Sequence, residues 1–193
     1  MKTIALFGTS ADPPTIGHQT ILQWLSQHYD RIVVWASDNP FKEHQTPLKF
    51  RSQMLQLTIE DLGLNNISLH PELSDRYTLN TVYNAREKWG NKIQFSLVIG
   101  ADILPQINSW YRSKELLEQV KVLIVPRLGY EIHAADLTNL QDLGGEYAIA
   151  SLDAPQVSSS TYRLQQDQSL VTPRVRDYIE QRNLYGRVRE LGN

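Results

Sequence analysis

The 193-residue chain has no cysteine, which excludes disulfides, thiolate nucleophiles and cysteine-ligated zinc. No apolar run approaches the ~18 residues of a membrane span. The first apolar stretch, Ile4–Phe7, is too short for the core of a secretion signal and reads as the start of a strand. An excess of either charge is also missing: 19 Lys+Arg against 21 Asp+Glu leave a formal charge of −2. Proteins that grip extended nucleic acid are usually basic, so nucleic acid is not an expected partner. Neither G-x-x-x-x-G-K-[ST] nor G-x-G-x-x-G occurs, so both the Walker loop and the dinucleotide fingerprint are absent. A chain that is 41% hydrophobic and 21% charged suits one α/β domain over residues 1–193. These exclusions together fit a cytoplasmic enzyme.

What is present begins with K-T-I-A-L-F-G-T-S-A-D-P-P-T-I-G-H, from Lys2 to His18. An apolar strand ends at Gly8, a loop of Gly, Thr, Ser, Asp and Pro follows, and Thr15-Ile16-Gly17-His18 opens a run of helical period. A strand, a tight loop and a helix start make a phosphate site, because the first N–H groups of a helix lack internal partners and its dipole is positive there. His18 adds a donor in the first turn, and Gly8, Thr9, Ser10, Thr15 and Gly17 surround it in sequence. Asp12, in D-P-P, is expected to fix the turn.

Strand and helix patterns then alternate. Strands are expected at Thr3–Phe7, Arg31–Ala36, Ile67–His70, Ile93–Ile99, Val120–Val125 and Tyr147–Ser151. Helices are expected at Ile16–Gln27, after Thr46-Pro47 with Phe50, Met54, Leu57 and Leu62 on its inner face, from Thr78 to Trp89, from Ser113, over Asp136–Leu143, and over Ser158–Gln166 and Pro173–Arg182. Thr46, with Pro47 behind it, and Thr78 read as N-caps. Apolar strands separated by helices imply a parallel sheet covered on both faces, a Rossmann-like doubly wound α/β fold with a C-terminal helical portion near 158–186. Ligands of such sheets sit at the carboxyl ends of the strands, where the strand order reverses. The loops rich in chemistry, 8–18, 38–44, 100–102 and 126–129, all follow strands.

The second constellation is V-S-S-S-T-Y-R, Val157–Arg163. Ser158, Ser159 and Ser160 at a helix start can cap it and still offer donors to a phosphate. Arg163, one turn on, presents a planar fork to the same anion.

The T-I-G-H run resembles the (H/T)-x-G-H nucleotidyltransferase superfamily. The S-S-S-T-Y-R run resembles the I-S-S-T-x-I-R pattern of its small-molecule adenylyltransferases. The set narrows to the bacterial nicotinate mononucleotide adenylyltransferase family. Asn39-Pro40 through His44, with Arg51 and Met54-Leu55, resembles its P-P-H-K loop and R-x-x-M-L helix. Arg76-Tyr77-Thr78 with Thr81 is similar to S-Y-T-x-x-T. Val98–Asp102 with Trp110-Tyr111 is similar to I-I-G-x-D followed by W-Y. Val125–Tyr130 is similar to V-x-R-x-G-Y, and Y-I-E-Q-R-N-L-Y to the closing helix. The resemblance covers most of the chain in the family's order.

It implies adenylyl transfer from ATP to nicotinate mononucleotide. His18 and Arg163 would act on the transferring phosphates, with Lys42 and His44 as alternatives for a further phosphate contact. Gly100 and Asp102 would join the ATP side, and Asp102 would also hold a ribose hydroxyl at the acceptor pocket. Tyr77, Thr78, Thr81, Trp110, Tyr111 and Arg127 would form the acceptor pocket, with Trp110 either stacked on the pyridine ring or serving as core. Mg²⁺ would ride on the ATP oxygens with no protein metal cage, and copies of the chain could assemble into a homo-oligomer. The chain departs from the pattern at Ala11, Thr15, the N-P-F-K-E-H loop and Ser160. Other acceptors (nicotinamide mononucleotide, phosphopantetheine, flavin mononucleotide), a non-catalytic ATP-binding module and a structural protein remain open on the residues alone.

Overall fold

The computed structural model describes residues 1–38, 46–127, 129–152, 155 and 157–186. Six strands, β1 (Thr3–Thr9), β2 (Arg31–Ala36), β3 (Ile67–Leu69), β4 (Gln94–Gly100), β5 (Lys121–Val125) and β6 (Glu146–Ile149), form one parallel sheet in the order β3-β2-β1-β4-β5-β6. The order reverses between β1 and β4, which places the ligand crevice beyond Thr9 and Gly100. The expected doubly wound α/β domain is therefore the observed one.

Helices α1 (Ile16–His28), α2 (Leu48–Leu62), α3 (Thr78–Trp89), α4 (Ser113–Gln119) and α5 (Ala134–Asp142) cover the sheet, and α6 (Ser159–Gln165) and α7 (Pro173–Arg182) follow. The period of two along each strand divides the core. Ile4, Leu6, Val33, Trp35, Leu97, Ile99, Val122 and Ile124 pack with α3, α4 and α5 on one face. Ala5, Phe7, Ile32, Val34, Val98, Leu123 and Val125 pack with α1 and α2 on the other. Each full Leu, Ile or Val burial contributes roughly 1.5–3 kcal/mol. A third cluster, Met54, Tyr162, Val171, Val175 and Ile179, fastens α6 and α7 to the back of α2.

Three local expectations are corrected. Pro47, not Thr46, is the N-cap of α2: the Phe50 and Arg51 N–H groups donate to the Pro47 carbonyl, while the Thr46 carbonyl is taken by Arg51 Nε at 2.7 Å. Tyr77, not Thr78, precedes α3, its own N–H held by Asp75 at 2.8 Å. The inner face of α2 is Arg51, Met54, Leu55, Thr58 and Ile59, one helical stripe shifted from the expected Phe50, Met54, Leu57 and Leu62. By contrast, Thr172 caps α7 ahead of Pro173, and Gly63 stops α2 in the left-handed conformation at φ +60°.

Candidate active site

The loop between β1 and α1 is built from backbone and short side chains. Thr15, 1% exposed, caps α1, and His18 folds its ring back onto it. The Thr15 N–H donates to His18 Nδ1 at 3.0 Å. This is a capping box with histidine in the place of the usual Glu or Gln. A backbone N–H only donates, so Nδ1 accepts, and the neutral ring keeps its proton on Nε2. Nε2 lies 2.9 Å from Thr9 Oγ1, at the end of β1. The sequence thus presents one imidazole N–H at the mouth of the crevice with its tautomer set by the fold.

Two expected glycines act on the protein itself. A Cβ on Gly8 would lie 2.5 Å from the Trp35 ring, its register partner on β2. A Cβ on Gly17 would press on Val157 Cγ2 at 3.1 Å and the Val157 carbonyl at 3.4 Å. Gly17 therefore lets the segment ahead of α6 approach α1. Ser158 caps α6 by accepting from the Thr161 N–H at 3.0 Å. Ser159 Oγ donates to the Pro13 carbonyl at 2.8 Å. Arg163, exposed, donates through one nitrogen to the Asp12 carbonyl at 2.5 Å and through the other to Ser160 Oγ at 3.2 Å. The two constellations legible in the sequence are thereby joined at Asp12-Pro13.

Arg51 was named only as part of a motif, yet it organises this end. It is 2% exposed and donates to the carbonyls of Thr46 (2.7 Å), Ser10 (2.9 Å) and Ser37 (2.7 Å). One guanidinium thus ties together the loops after β1 and β2 and the start of α2. Burial pulls its pKa below the ordinary arginine value, and the charges of Asp12 and Asp38 oppose that shift. The signal was available: Arg51 lies on the same 51-54-55-58-59 stripe as the buried residues of α2. Lys42 and His44 lie outside the described residues.

The second end of the crevice follows β4 and β5. Asp102 Oδ2 accepts from Arg127 at 2.8 Å, while Asp102 Oδ1 is buried with no hydrogen-bond partner among the described residues. Gly100 makes room for this pair, since a Cβ there would strike the Asp102 carboxylate and crowd Arg127 Cδ at 3.1 Å. Trp110 is partly buried against the core. Tyr77 and Tyr111, 39% and 50% exposed, lie with ring centroids 4.5 Å apart. Thr78 opens α3 beside them. Thr81 differs: it is 1% exposed and its hydroxyl donates to the Leu73 carbonyl at 2.8 Å, so it braces the approach to α3. Among the described residues no group of three or more His, Asp or Glu is placed to hold a metal ion, and no helix is long and apolar enough to cross a membrane.

A family profile described as cytidylyltransferase-like matches residues 6–165. A Synechocystis protein named probable nicotinate-nucleotide adenylyltransferase is 44% identical, over 94% of this chain and 98% of its own. A relative of the same name from Bacillus cereus is 30% identical over 96% and 99%. The fold matches the nicotinic acid mononucleotide adenylyltransferase of Plasmodium falciparum solved with NaAD, with TM-score 0.81, 22% identity, and 96% and 98% coverage. The chain belongs to the cytidylyltransferase-like family of nucleotidyltransferases, and within it to the nicotinate-nucleotide adenylyltransferases.

Proposed function

We propose that the chain transfers the adenylyl group of ATP to nicotinate mononucleotide, releasing pyrophosphate and forming nicotinate adenine dinucleotide for NAD synthesis. The observation that carries this reading is the meeting of the T-I-G-H and S-S-S-T-Y-R runs at Asp12-Pro13, at the reversal point of the sheet. A phosphate oxygen of the mononucleotide attacks the α-phosphorus of ATP, a new P–O bond forms, and the bond to the β-phosphate oxygen breaks. The nucleophile is already an anion, so the reaction needs positioning and charge stabilisation more than a base. His18 Nε2–H donates to the α-phosphate. Arg163 turns its fork to the β- and γ-phosphates, beside Ser158, Ser159 and Ser160. Lys42 and His44 are assigned further phosphate contacts. Mg²⁺ enters on the ATP oxygens as part of the substrate.

Trp110 stacks on the pyridine ring, framed by Tyr77 and Tyr111. The N–H groups of Thr78, in the first turn of α3, and of Tyr111 meet the carboxylate. Asp102, with one oxygen open, takes a ribose hydroxyl, and Arg127 holds its other oxygen. Both substrates place the enzyme's work in the cytoplasm.

The test is an acceptor panel with ATP, scored by pyrophosphate release. N–H donors that fit a carboxylate leave the NH₂ of a carboxamide mismatched, at about 1–3 kcal/mol per group. Nicotinate mononucleotide is therefore expected to exceed nicotinamide mononucleotide by at least about tenfold in kcat/KM. Phosphopantetheine and flavin mononucleotide are expected to give no product. Equal use of acid and amide would overturn the acceptor assignment, and absence of pyrophosphate with every acceptor would overturn the reaction.

A further inference from the structure

Asp12 is the junction of the phosphate end, and it is 3% exposed. Its backbone carbonyl takes Arg163 at 2.5 Å, Oδ2 takes the Thr46 N–H at 3.2 Å, and Oδ1 takes the Tyr185 hydroxyl at 2.6 Å. Tyr185 lies beyond α7, with a backbone φ of +58°. Its ring meets Tyr162 edge-on at 5.9 Å, and Gln166 holds its carbonyl at 2.7 Å. The ring and backbone are thus anchored independently of the hydroxyl. Burial and the Asp12 carboxylate push the phenol far above its ordinary range, so the hydroxyl remains a donor at any working pH.

We infer that Tyr185 is a positioning residue for ATP: its hydroxyl holds the Asp12 carboxylate, so that the Asp12 carbonyl keeps the Arg163 guanidinium aimed at the crevice and the start of α2 stays closed against the loop after β1. This rests on the reading of that end as the triphosphate site. The physical reason is the cost of a buried carboxylate that loses a donor. Arg51 is committed to three carbonyls, so it is poorly placed to answer that loss. Arg163 is the cation on the same residue's carbonyl, and it is drawn from the carbonyl toward the carboxylate, away from the phosphates.

The test is Tyr185→Phe, which keeps the ring on Tyr162 and removes only the hydroxyl, in the unmodified and the Asp12→Asn backgrounds. Calorimetry gives the Kd for Mg-ATP and, separately, for nicotinate mononucleotide, and melting temperatures monitor folding. The expected result is about a tenfold weaker ATP Kd for Tyr185→Phe with the acceptor Kd within twofold. In the Asp12→Asn background the same change is expected to add less than twofold. An unchanged ATP Kd, equal weakening of both ligands, or a full tenfold effect in the Asp12→Asn background would each overturn the inference. A protein that binds no ATP before any substitution overturns the reading of the site itself, and the inference with it.

Discussion

The two ends of the crevice are made differently. The end after β1 is finished: His18 is held between Thr9 and Thr15, Arg163 is on the Asp12 carbonyl and Ser159 on the Pro13 carbonyl, all at 2.5 to 3.0 Å. The end after β4 is open: it has exposed tyrosines, a partly buried tryptophan and a carboxylate oxygen with no partner among the described residues. Preorganised dipoles stabilise a transition state best, because no reorganisation is left for the moment of reaction. An acceptor that must enter and leave calls instead for adaptable aromatic surface and an unfilled hydrogen-bond position. On this contrast, substitutions at the first end are expected to act on kcat and ATP, and those at the second on the acceptor.

The largest effect is expected at His18. His18→Ala removes the one N–H whose tautomer the helix cap sets, and kcat is expected to fall about 10²–10³-fold, as for loss of one oxyanion-type donor. ATP affinity is expected to change much less, and near-normal turnover would break the contrast at its strongest point. Next comes Arg163→Lys, which keeps the charge and loses the fork. A charge-assisted bond contributes about 1.5–3 kcal/mol, so kcat/KM for ATP is expected to drop roughly 10- to 100-fold with the melting temperature unchanged. Kinetics equal to the unmodified protein would reduce the S-S-S-T-Y-R run to a capped helix start.

Trp110→Ala is expected to be milder and to fall on the other substrate. An aromatic stack contributes about 0.5–1.5 kcal/mol beyond area, so acceptor KM rises roughly 3- to 10-fold while ATP KM holds. Acid and amide acceptors should weaken alike, since stacking reads the ring; an ATP-side effect would erase the division between the ends.

The smallest effect lies away from both. Lys88, then His70, holds the Glu72 carboxyl down at about 2, from the ordinary 4.5. A depressed carboxyl stabilises the fold above its unfolded value, and that stability is lost as pH falls from about 4.5 toward 2. The group is half exposed, so the contribution is that of a surface pair, about 0.2–1 kcal/mol. Glu72→Gln is expected to melt about 1–2 °C lower at pH 7, with the gap closed at pH 2 and catalysis untouched. A gap that persists at pH 2 would show that packing, not charge, is responsible.

The sequence made the first end far more legible than the second. His18, Arg163 and the serines are signalled by local patterns, since a capped helix start is written in adjacent residues. The sheet was legible for the same reason: β2 and β5 are continuous apolar runs at the expected places. What escaped was long-range. The burial of Arg51 could be read from its helical stripe, but its partners could not, because they are carbonyls, which every residue has. Tyr185 escaped because its partner is 173 positions away. Thr81 was assigned to the pocket from its motif, while its hydroxyl is directed to the Leu73 carbonyl. The placement of Thr46 failed through competition, as its carbonyl had the Arg51 side chain to meet.

The separation of these contacts has a consequence for how the enzyme comes into being. Arg163 reaches back 151 positions to Asp12, and Ser159 reaches back 146 to Pro13. Chains emerge from the ribosome N-terminus first, at about 5–20 residues per second. The strands flanking the crevice, β1 and β4, are therefore complete when only the first 100 residues have been made, while the grip proposed for the triphosphate waits for α6. A nascent chain can hold the T-I-G-H element in place for several seconds with no arginine opposite it, so the ability to use ATP arrives late in synthesis and all at once.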